Sequence, residues 1–302
     1  ITYTDIAEGE ADNISISLKK GSFELEKYQE LNVKIGTTNW EKDNSDYKLD
    51  CGTFLIDSIE ASGFPDALEV KAINAPINSN FMDGASTKTW KKASIRTIAN
   101  DIANKYNLKL CLDTNIELVI EELEQSKKSD SSLLLETLNK FGYSMKIYNN
   151  KLVIFREEEY EKFNVVTTIK KNMMSAYSIS DNSSKTNYSG AIVEYKVGKA
   201  KKEYTYTSSN NSSGKIVAVS GTANNLNEAI FIAKAKLREE NKKQLQLNFS
   251  TFGMNRLVAT NCINIEGFGK YDGKYYIDKI THNFGNGYTS DFETHKVLEG
   301  DY

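Results

Sequence analysis

His295 is one of two histidines in this 302-residue chain, and it lies two and four residues after Glu293 and Asp291. On a β-strand, side chains at i, i+2 and i+4 share one face, so two carboxylates and an imidazole could bind a metal ion there. The alternative is a polar, solvent-facing side of the strand, and we favour it because no second cluster supplies further ligands. The other histidine, His282, is expected to be a turn or edge residue near a strand end.

Carboxylates also occur in two runs, EELE at 121–124 and EEEYE at 157–161. Glycosidase chemistry needs two carboxylates on opposite sides of a cleft with separated pKa values. Neighbours on one segment do not provide that arrangement, so both runs are expected to be solvated faces. The sequence contains no G-x-S-x-G, H-E-x-x-H or G-x-x-x-x-G-K-[ST] motif, and the glycine-rich run 267–273 is expected to be a hairpin loop. We therefore predict no catalytic residue and no cofactor.

Two aspartates recur at equivalent places in two similar octets, GTFLIDSI at 52–59 and GKYYIDKI at 273–280. The identical positions are Gly52, Ile56, Asp57, Ile59, Gly273, Ile277, Asp278 and Ile280. Each octet begins a strand and lies between two alternating runs, as expected for a three-stranded meander. Such a repeat predicts two similar β domains at the two ends of the chain. Because an active site is rarely needed twice, the repeated aspartates are predicted to be structural.

The periodicity of the sequence predicts an α+β fold that is mostly β. Residues 1–87 alternate with period two and predict a first β-barrel-like domain. Residues 161–302 return to this pattern after an interruption and predict a second such domain, with one helix at 225–241. The polar segment 41–50 is expected to be a loop, and the Ser/Asn-rich stretches 178–189 and 208–214 are expected to be mobile loops.

The interruption at 88–160 predicts an inserted α+β domain of the order helix, strand, helix, hairpin. Ser94 and Ser129 precede two amphipathic runs and are typical N-cap residues, because a serine oxygen can accept an unpaired N–H of the first turn. Asn149 and Asn150 join two short alternating runs, and asparagine tolerates the positive φ of a tight hairpin.

Composition excludes several classes of protein. The 38 basic and 41 acidic residues give a net charge of −3, which argues against a nucleic-acid-binding protein. No apolar stretch approaches the roughly 18 residues needed to span a membrane, and no signal peptide is visible. Cys51, Cys111 and Cys262 are too far apart for a disulfide or zinc framework, and we expect small hydrophobic strand residues in a reducing compartment.

The middle of the chain carries a resemblance to a known family. Its motifs are KTW at 88–90, SIRTIANDIA at 94–103, QSKKSDSSLLLETL at 125–138, FGYSMKIY at 141–148 and KLVIF at 151–155. This unit resembles the late control gene D family, the baseplate hub proteins of contractile phage tails. The opening segments, YTD at 3–5 and GEADNISI at 9–16, are similar to the versions found in phages, defective prophages and R-type bacteriocins of Gram-positive bacteria.

The resemblance implies a homotrimeric hub in which each subunit has two similar barrel domains, so that three subunits form a pseudo-sixfold ring. It implies as partners the tail tube or a tube-initiator protein, the central spike and other baseplate proteins. It further implies assembly in the bacterial cytoplasm and a place in the virion or tail particle, with no catalytic motif. The alternatives are a tail-tip cell-wall hydrolase or glycan-binding module, for which Trp40 is a weak contact, and the spike of a secretion apparatus. Trp90 is expected in the core.

Overall fold

A computed structural model describes residues 1–19, 21, 24–41, 45–74, 80–116, 118–182, 187–209 and 214–300. The strands are β1 (Thr2–Ile6), β2 (Asn13–Lys19), β3 (Glu30–Thr38), β4 (Asp46–Ser62), β5 (Ala67–Ile73), β6 (Ser86–Ser94), β7 (Lys109–Leu112), β8 (Val119–Lys128), β9 (Ser144–Tyr148), β10 (Lys151–Phe155), β11 (Thr168–Lys170), β12 (Met174–Asp181), β13 (Tyr188–Val197), β14 (Ala200–Thr207), β15 (Lys215–Ala223), β16 (Leu245–Phe252), β17 (Cys262–Glu266), β18 (Gly273–Gly285) and β19 (Gly287–Lys296). The helices are α1 (Asn80–Asp83), α2 (Ile95–Lys105), α3 (Asp130–Lys140), α4 (Glu157–Tyr160) and α5 (Leu226–Lys242). The α+β, mostly β class predicted from the sequence is confirmed.

One large sheet contains strands from both ends of the chain, in the order β12-β16-β19-β18-β1-β2-β5-β4-β3. Its centre is β1, which pairs antiparallel with β18 on one side, where Thr4 faces Thr281. On its other side β1 pairs with β2, where Tyr3 faces Ile14. In the described residues the sheet does not close into a barrel, because β3 pairs only with β4 at one end and β12 pairs only with β16 at the other.

Each end of this sheet contains one of the repeated octets, in β4 and in β18. In the β4–β5 pair the register shifts between Ile56 and Ser58, which leaves Asp57 as the extra residue of a β-bulge. In the β18–β19 pair the register shifts between Ile277 and Lys279, and this places Asp278 in the same kind of bulge. The two octets therefore form antiparallel meanders with the irregularity at the equivalent aspartate, β3–β4–β5 and β17–β18–β19.

The inserted segment has the predicted local structure. The Ser94 oxygen accepts the N–H of Thr97 and so caps α2, and the Ser129 oxygen accepts the N–H of Ser132 and caps α3. The turn between β9 and β10 has φ values of 46° and 57° at Asn149 and Asn150, which its two-residue hairpin requires. β7 lies parallel to β10 in the same small sheet.

Helix α5 packs on the inserted segment. Its buried residues Ala229, Ile232, Ala233 and Leu237 share one hydrophobic core with α2, α3 and the three-stranded sheet β14-β13-β15. Gly142, at the end of α3, has a φ of +76°, and a Cβ atom there would lie 3.2 Å from the Cβ of Ala235. The backbone of this turn thus approaches α5 closely because the residue is glycine. The domain boundaries 1–87, 88–160 and 161–302 stay a prediction. Within the last of these ranges, residues 188–242 share their hydrophobic core with the inserted unit.

Several local expectations are corrected by pairing across the sheets. Residues 46–50, predicted as loop, begin β4 and pair with the end of β3, whereas 42–44 lie outside the described residues. The carboxylates of the run 121–124 are exposed, as expected, but the run belongs to β8, which pairs with β6, and periodicity revealed neither strand. In the predicted loops, 178–181 end β12, while 183–186 and 210–213 lie outside the described part.

Burial settles the remaining expectations for single residues. Trp90 is buried, as predicted. His282 is wholly buried, and its Nδ1 lies 2.8 Å from the Tyr288 hydroxyl, so the expectation of a turn or edge residue is wrong. Cys51 and Cys262 are buried and free, but Cys111 is exposed rather than part of a buried strand.

Candidate functional site

The favoured interpretation of Asp291, Glu293 and His295, a solvent-facing side of the strand, holds for the two carboxylates but is wrong for His295. Asp291 is exposed and accepts a hydrogen bond from the Asn283 amide at 2.7 Å, while Glu293 pairs with Lys279 at 2.6 Å. His295 is 1% exposed, although it follows these residues on the same strand. Among the described residues, the carboxylates that lie close to the His295 ring are instead those of Glu157 and Glu161, in and just after α4.

His295 lies between two carboxylates from distant parts of the chain. Its Nδ1 is 2.8 Å from Oδ1 of Asp278, the bulge residue of the second octet. Its Nε2 is 2.7 Å from Oε1 of Glu161, which follows α4. Because both ring nitrogens face carboxylate oxygens, the arrangement favours the imidazolium form, in which both nitrogens donate.

Helix α5 supplies two further cations to the same place. Arg238 Nη2 lies 3.1 Å from Glu157 Oε1 and 2.7 Å from Glu161 Oε1. Lys242 Nζ lies 2.7 Å from Glu157 Oε2 and 3.1 Å from Glu8 Oε1. We call this set, comprising Glu8, Glu157, Glu161, Arg238, Lys242, Asp278 and His295, the buried charge network.

The electrostatics of the network follow from its composition. Burial by itself lowers the pKa of His295, but the charge of Asp278 and the hydrogen bonds to Asp278 and Glu161 outweigh it and raise this pKa to about 9. Burial raises the pKa of Glu157, but Lys242, His295 and Arg238 outweigh it and lower this pKa to about 2. The network therefore holds both residues in their charged forms at neutral pH.

This geometry suits cohesion better than metal binding. The oxygens of Glu157 and Glu161 that could bind a metal ion already accept hydrogen bonds from the Arg238 guanidinium. A metal ion would have to displace a buried arginine that is permanently charged and carries five donors. The network joins α4, α5, the N-terminal segment and the β18–β19 hairpin, so its evident role is to hold these parts together.

A second charge cluster joins the N-terminal segment to the inserted hairpin. Lys146 in β9 forms ion pairs with Asp5 and Asp12, the latter at 3.0 Å, and its Nζ donates to the carbonyl of Ile6 at 2.8 Å. Asp5 also accepts the backbone N–H of Ala259 at 2.9 Å. Burial raises the pKa of Asp12 to about 7, against the opposing effect of Lys146.

The sequence concealed this network for a physical reason. The run 157–161 was expected to be a solvated face, which is wrong for Glu157 and Glu161, because these two residues lie one helical turn apart and face the sheet. Two features of the sequence could have indicated the network: the spacing of four residues between Glu157 and Glu161, and the recurrence of Asp278 in the second octet. Their cationic partners, Arg238 and Lys242, are about 80 residues away.

Comparison with known proteins places this geometry in context. No protein-family model matches the chain. It is similar to a probable baseplate hub protein of Escherichia phage 186, with 23% identity over 157 residues. That match covers 52% of this chain and 39% of the relative, so the chain matches well under half of the relative's length.

Solved structures match nearly the whole chain. The tail protein of Neisseria meningitidis MC58 has a TM-score of 0.70 at 11% identity, over 98% of this chain and 91% of that one. The chain has the fold of phage tail proteins. The E. coli c3393 protein, a type VI secretion component described as similar to the T4 tail proteins gp27 and gp5, has a TM-score of 0.60 at 10% identity, over 100% of this chain and 74% of that one.

The resemblance to baseplate hub proteins that was predicted from 88–155 is thus confirmed. The Gram-positive origin stays a prediction. Among the described residues, no helix combines the length and the apolar character that a membrane span requires.

Proposed function

We propose that this chain is a structural baseplate hub protein of a phage tail or a related contractile particle. The observation that carries the proposal is a tail-protein fold over nearly the whole chain, together with sequence similarity to a probable hub protein over 157 residues. In this role the chain assembles in the bacterial cytoplasm and becomes part of the baseplate, without catalysis.

The finer proposal is a homotrimer that joins a sixfold tail tube to a threefold central spike. The two meanders, with bulges at Asp57 and Asp278, support it, because two similar elements in each of three chains present six quasi-equivalent elements. One face of such a ring matches the tube, and the other retains the threefold symmetry of the spike. Other baseplate proteins are expected to bind around its rim.

The charge clusters support a mechanical role. A hub that transmits force from a contracting sheath has to move as one body, so its inserted unit has to be fixed to its sheet. In the buried charge network Glu157, at the end of the inserted unit, pairs with Arg238 and Lys242 of α5 and lies 3.8 Å from His295 of the sheet. Lys146 of the inserted unit pairs with Asp5 and Asp12. Buried charge pairs resist separation strongly, because removing one partner leaves the other uncompensated.

The test is assembly with candidate partners. The purified chain is mixed with the tube protein and the spike protein of its own particle, and the masses of the complexes are measured. A 3:6 complex with tube subunits and a 3:3 complex with spike subunits are expected. A chain that stays monomeric with both partners present overturns the proposal.

A parallel assay addresses the tail-tip alternative. Purified cell wall is incubated with the wild-type chain and with Asp57→Asn and His295→Gln variants. No release of wall fragments is expected from any of them. Wall degradation that either substitution abolishes would favour a cell-wall hydrolase instead. Retention on glycan beads that is lost in Trp40→Ala would favour a glycan-binding module.

A further inference from the structure

The cluster of Lys146, Asp5 and Asp12 brings together the groups that an amide bond requires. Lys146 Nζ lies 3.0 Å from Oδ1 of Asp12 and also contacts Oδ1 of Asp5. The side chains of Asp5 and Asp12 are 5% and 1% exposed, and that of Lys146 is 17% exposed. An amine and a carboxyl group held in contact react far faster than the same groups free in water. Burial also limits hydrolysis of the product, because water is excluded.

Asp12 has the features of the carboxyl group that is attacked. Burial raises its pKa to about 7 against the opposing effect of Lys146, so a substantial fraction carries the acid form that an amine attacks. Its Oδ1 accepts the backbone N–H of Ile6 at 2.9 Å, and this donor can stabilise the negative charge that develops there during attack. Among the described residues its buried Oδ2 has no hydrogen-bond partner, so this oxygen is available to carry the acid proton and to leave as water.

Asp5 has the position of the base. Its Oδ1 contacts Lys146 Nζ, and its Oδ2 is held by the backbone N–H of Ala259 at 2.9 Å. Burial lowers the pKa of Lys146, but the charges of Asp5 and Asp12 outweigh it and raise this pKa. The amine is therefore charged at rest and has to transfer a proton to Asp5 before it can attack. This transfer makes the reaction slow, but a bond that forms once in each molecule needs no rapid turnover.

We propose that Lys146 and Asp12 form an intramolecular isopeptide bond, with Asp5 as the proton-transfer residue. Asp5 takes one proton from the ammonium group, and the freed electron pair of Nζ forms the bond to Cγ of Asp12. A second proton leaves Nζ for Asp5 as Asp5 passes its own proton to Oδ2, and water departs as the Cγ–Oδ2 bond breaks. The products are one amide, one water and a protonated Asp5, so no oxidant and no further reactant is required.

The bond joins two parts of the fold that are distant in sequence. Asp12 immediately precedes β2 in the large sheet, whereas Lys146 lies in β9 of the inserted unit, 134 residues away. The inserted unit is thus attached covalently to the middle of the sheet, where ion pairs alone could separate under force. The inference does not depend on the proposed hub function, although a hub that transmits force gains from such a bond.

The mass of the intact chain tests the bond without any substitution. After prolonged incubation of the folded protein at neutral pH, the denatured wild-type chain is expected to be lighter than its sequence mass by one water molecule. Trypsin does not cleave after an acylated lysine, so digestion should give a branched peptide in which residues 1–19 are joined to 141–151. A chain that retains its full sequence mass and is cleaved after Lys146 overturns the proposal.

A lysine substitution excludes loss of water elsewhere in the chain. Lys146→Arg keeps the buried positive charge but should retain the full sequence mass. The matched control is Lys88→Arg, in an exposed ion pair with Asp101, and it should lose one water molecule as the wild type does. Loss of water that persists in Lys146→Arg arises at another site and overturns the Lys146–Asp12 bond.

An aspartate substitution tests the proton transfer separately. Asp5→Asn removes the base while it keeps the size of the side chain, and the branched peptide should appear about a hundredfold more slowly or not at all. The rate is followed by mass spectrometry of samples taken during incubation of freshly purified protein. A branched peptide that forms at the wild-type rate in Asp5→Asn overturns the role assigned to Asp5.

Discussion

Asp57 and Asp278 occupy equivalent bulges in two meanders of one sheet, yet their surroundings differ. Asp57 is exposed, whereas Asp278 lies 2.8 Å from the buried ring of His295. The neighbouring isoleucines show the same contrast, because Ile59 is half-buried and Ile280 is fully buried. The local backbone is similar, and the difference arises from what covers each unit.

Helices α4 and α5 contribute the cover at the second meander. They bring Glu161 and Arg238 to the end of β19, so an otherwise polar strand end becomes the centre of a charge network. The first meander borders an open cleft instead. A repeated backbone is thus covered by helices at one end of the sheet and borders an open apolar cleft at the other.

The largest effect is expected when the network loses its arginine. Arg238→Met keeps the size of the side chain but leaves Glu157 and Glu161 short of a buried cation, which should lower the free energy of unfolding by about 3–5 kcal/mol. Chemical denaturation measures it. Arg96→Met, on the exposed face of α2, is the control and should change stability by less than about 0.5 kcal/mol. Equal effects of the two substitutions would contradict a cohesive role for the network.

The next largest effect tests whether the two meanders are equally packed at their repeated isoleucines. Ile56 and Ile277 are both wholly buried, so Ile56→Ala and Ile277→Ala should each cost about 2–5 kcal/mol, by lost burial and by the cavity left behind. Denaturant unfolding is the measurement. Ile216→Ala, at an exposed position, should have little effect. A cost at only one of the two sites would contradict the structural equivalence of the repeats.

The second meander should make the free energy of unfolding depend on pH, because it contains His295. Its pKa is raised from 6.5 to about 9 by folding, so its contribution is complete below pH 6.5 and is lost as the pH rises from 6.5 to 9. Glu157, lowered from 4.5 to about 2, contributes above pH 4.5 and loses its contribution as the pH falls to 2.

Thermal unfolding between pH 6.5 and 9 measures the histidine effect, which we expect to be on the order of 2 kcal/mol. In His295→Gln this alkaline loss should disappear, while the acid loss from Glu157 remains. An alkaline slope that is unchanged in this variant would show that another group titrates.

The smallest effect compares the two aspartates directly. Asp278→Asn removes a charge beside the imidazolium and should cost about 1 kcal/mol, whereas Asp57→Asn should cost less than about 0.5 kcal/mol. The pKa of His295, followed by NMR, should fall in Asp278→Asn and stay unchanged in Asp57→Asn. A fall in both variants would mean that the two sites are not electrostatically separate.

Local patterns were enough to predict much of the fold. Both helix caps, at Ser94 and Ser129, and the hairpin at Asn149 follow from short-range chemistry, because each depends on atoms within a few residues. The same segments, within 88–155, supplied the helices of the α+β prediction and the resemblance to hub proteins. Strand β8 escaped prediction because its charged side chains are exposed, and its pairing with β6 depends on residues about 30 positions away.

The sequence by itself therefore determined most of the strands, the capped helices and the two octets, since periodicity and turn chemistry act over a few residues. Only the tertiary structure decided that Glu157 and Glu161 are buried, that His282 is interior, and that α5 packs on the inserted unit. The physical reason is that burial of a charge depends on a partner, and here the partners come from distant parts of the chain. The same holds for the two aspartates, which the sequence makes alike and their neighbours make different.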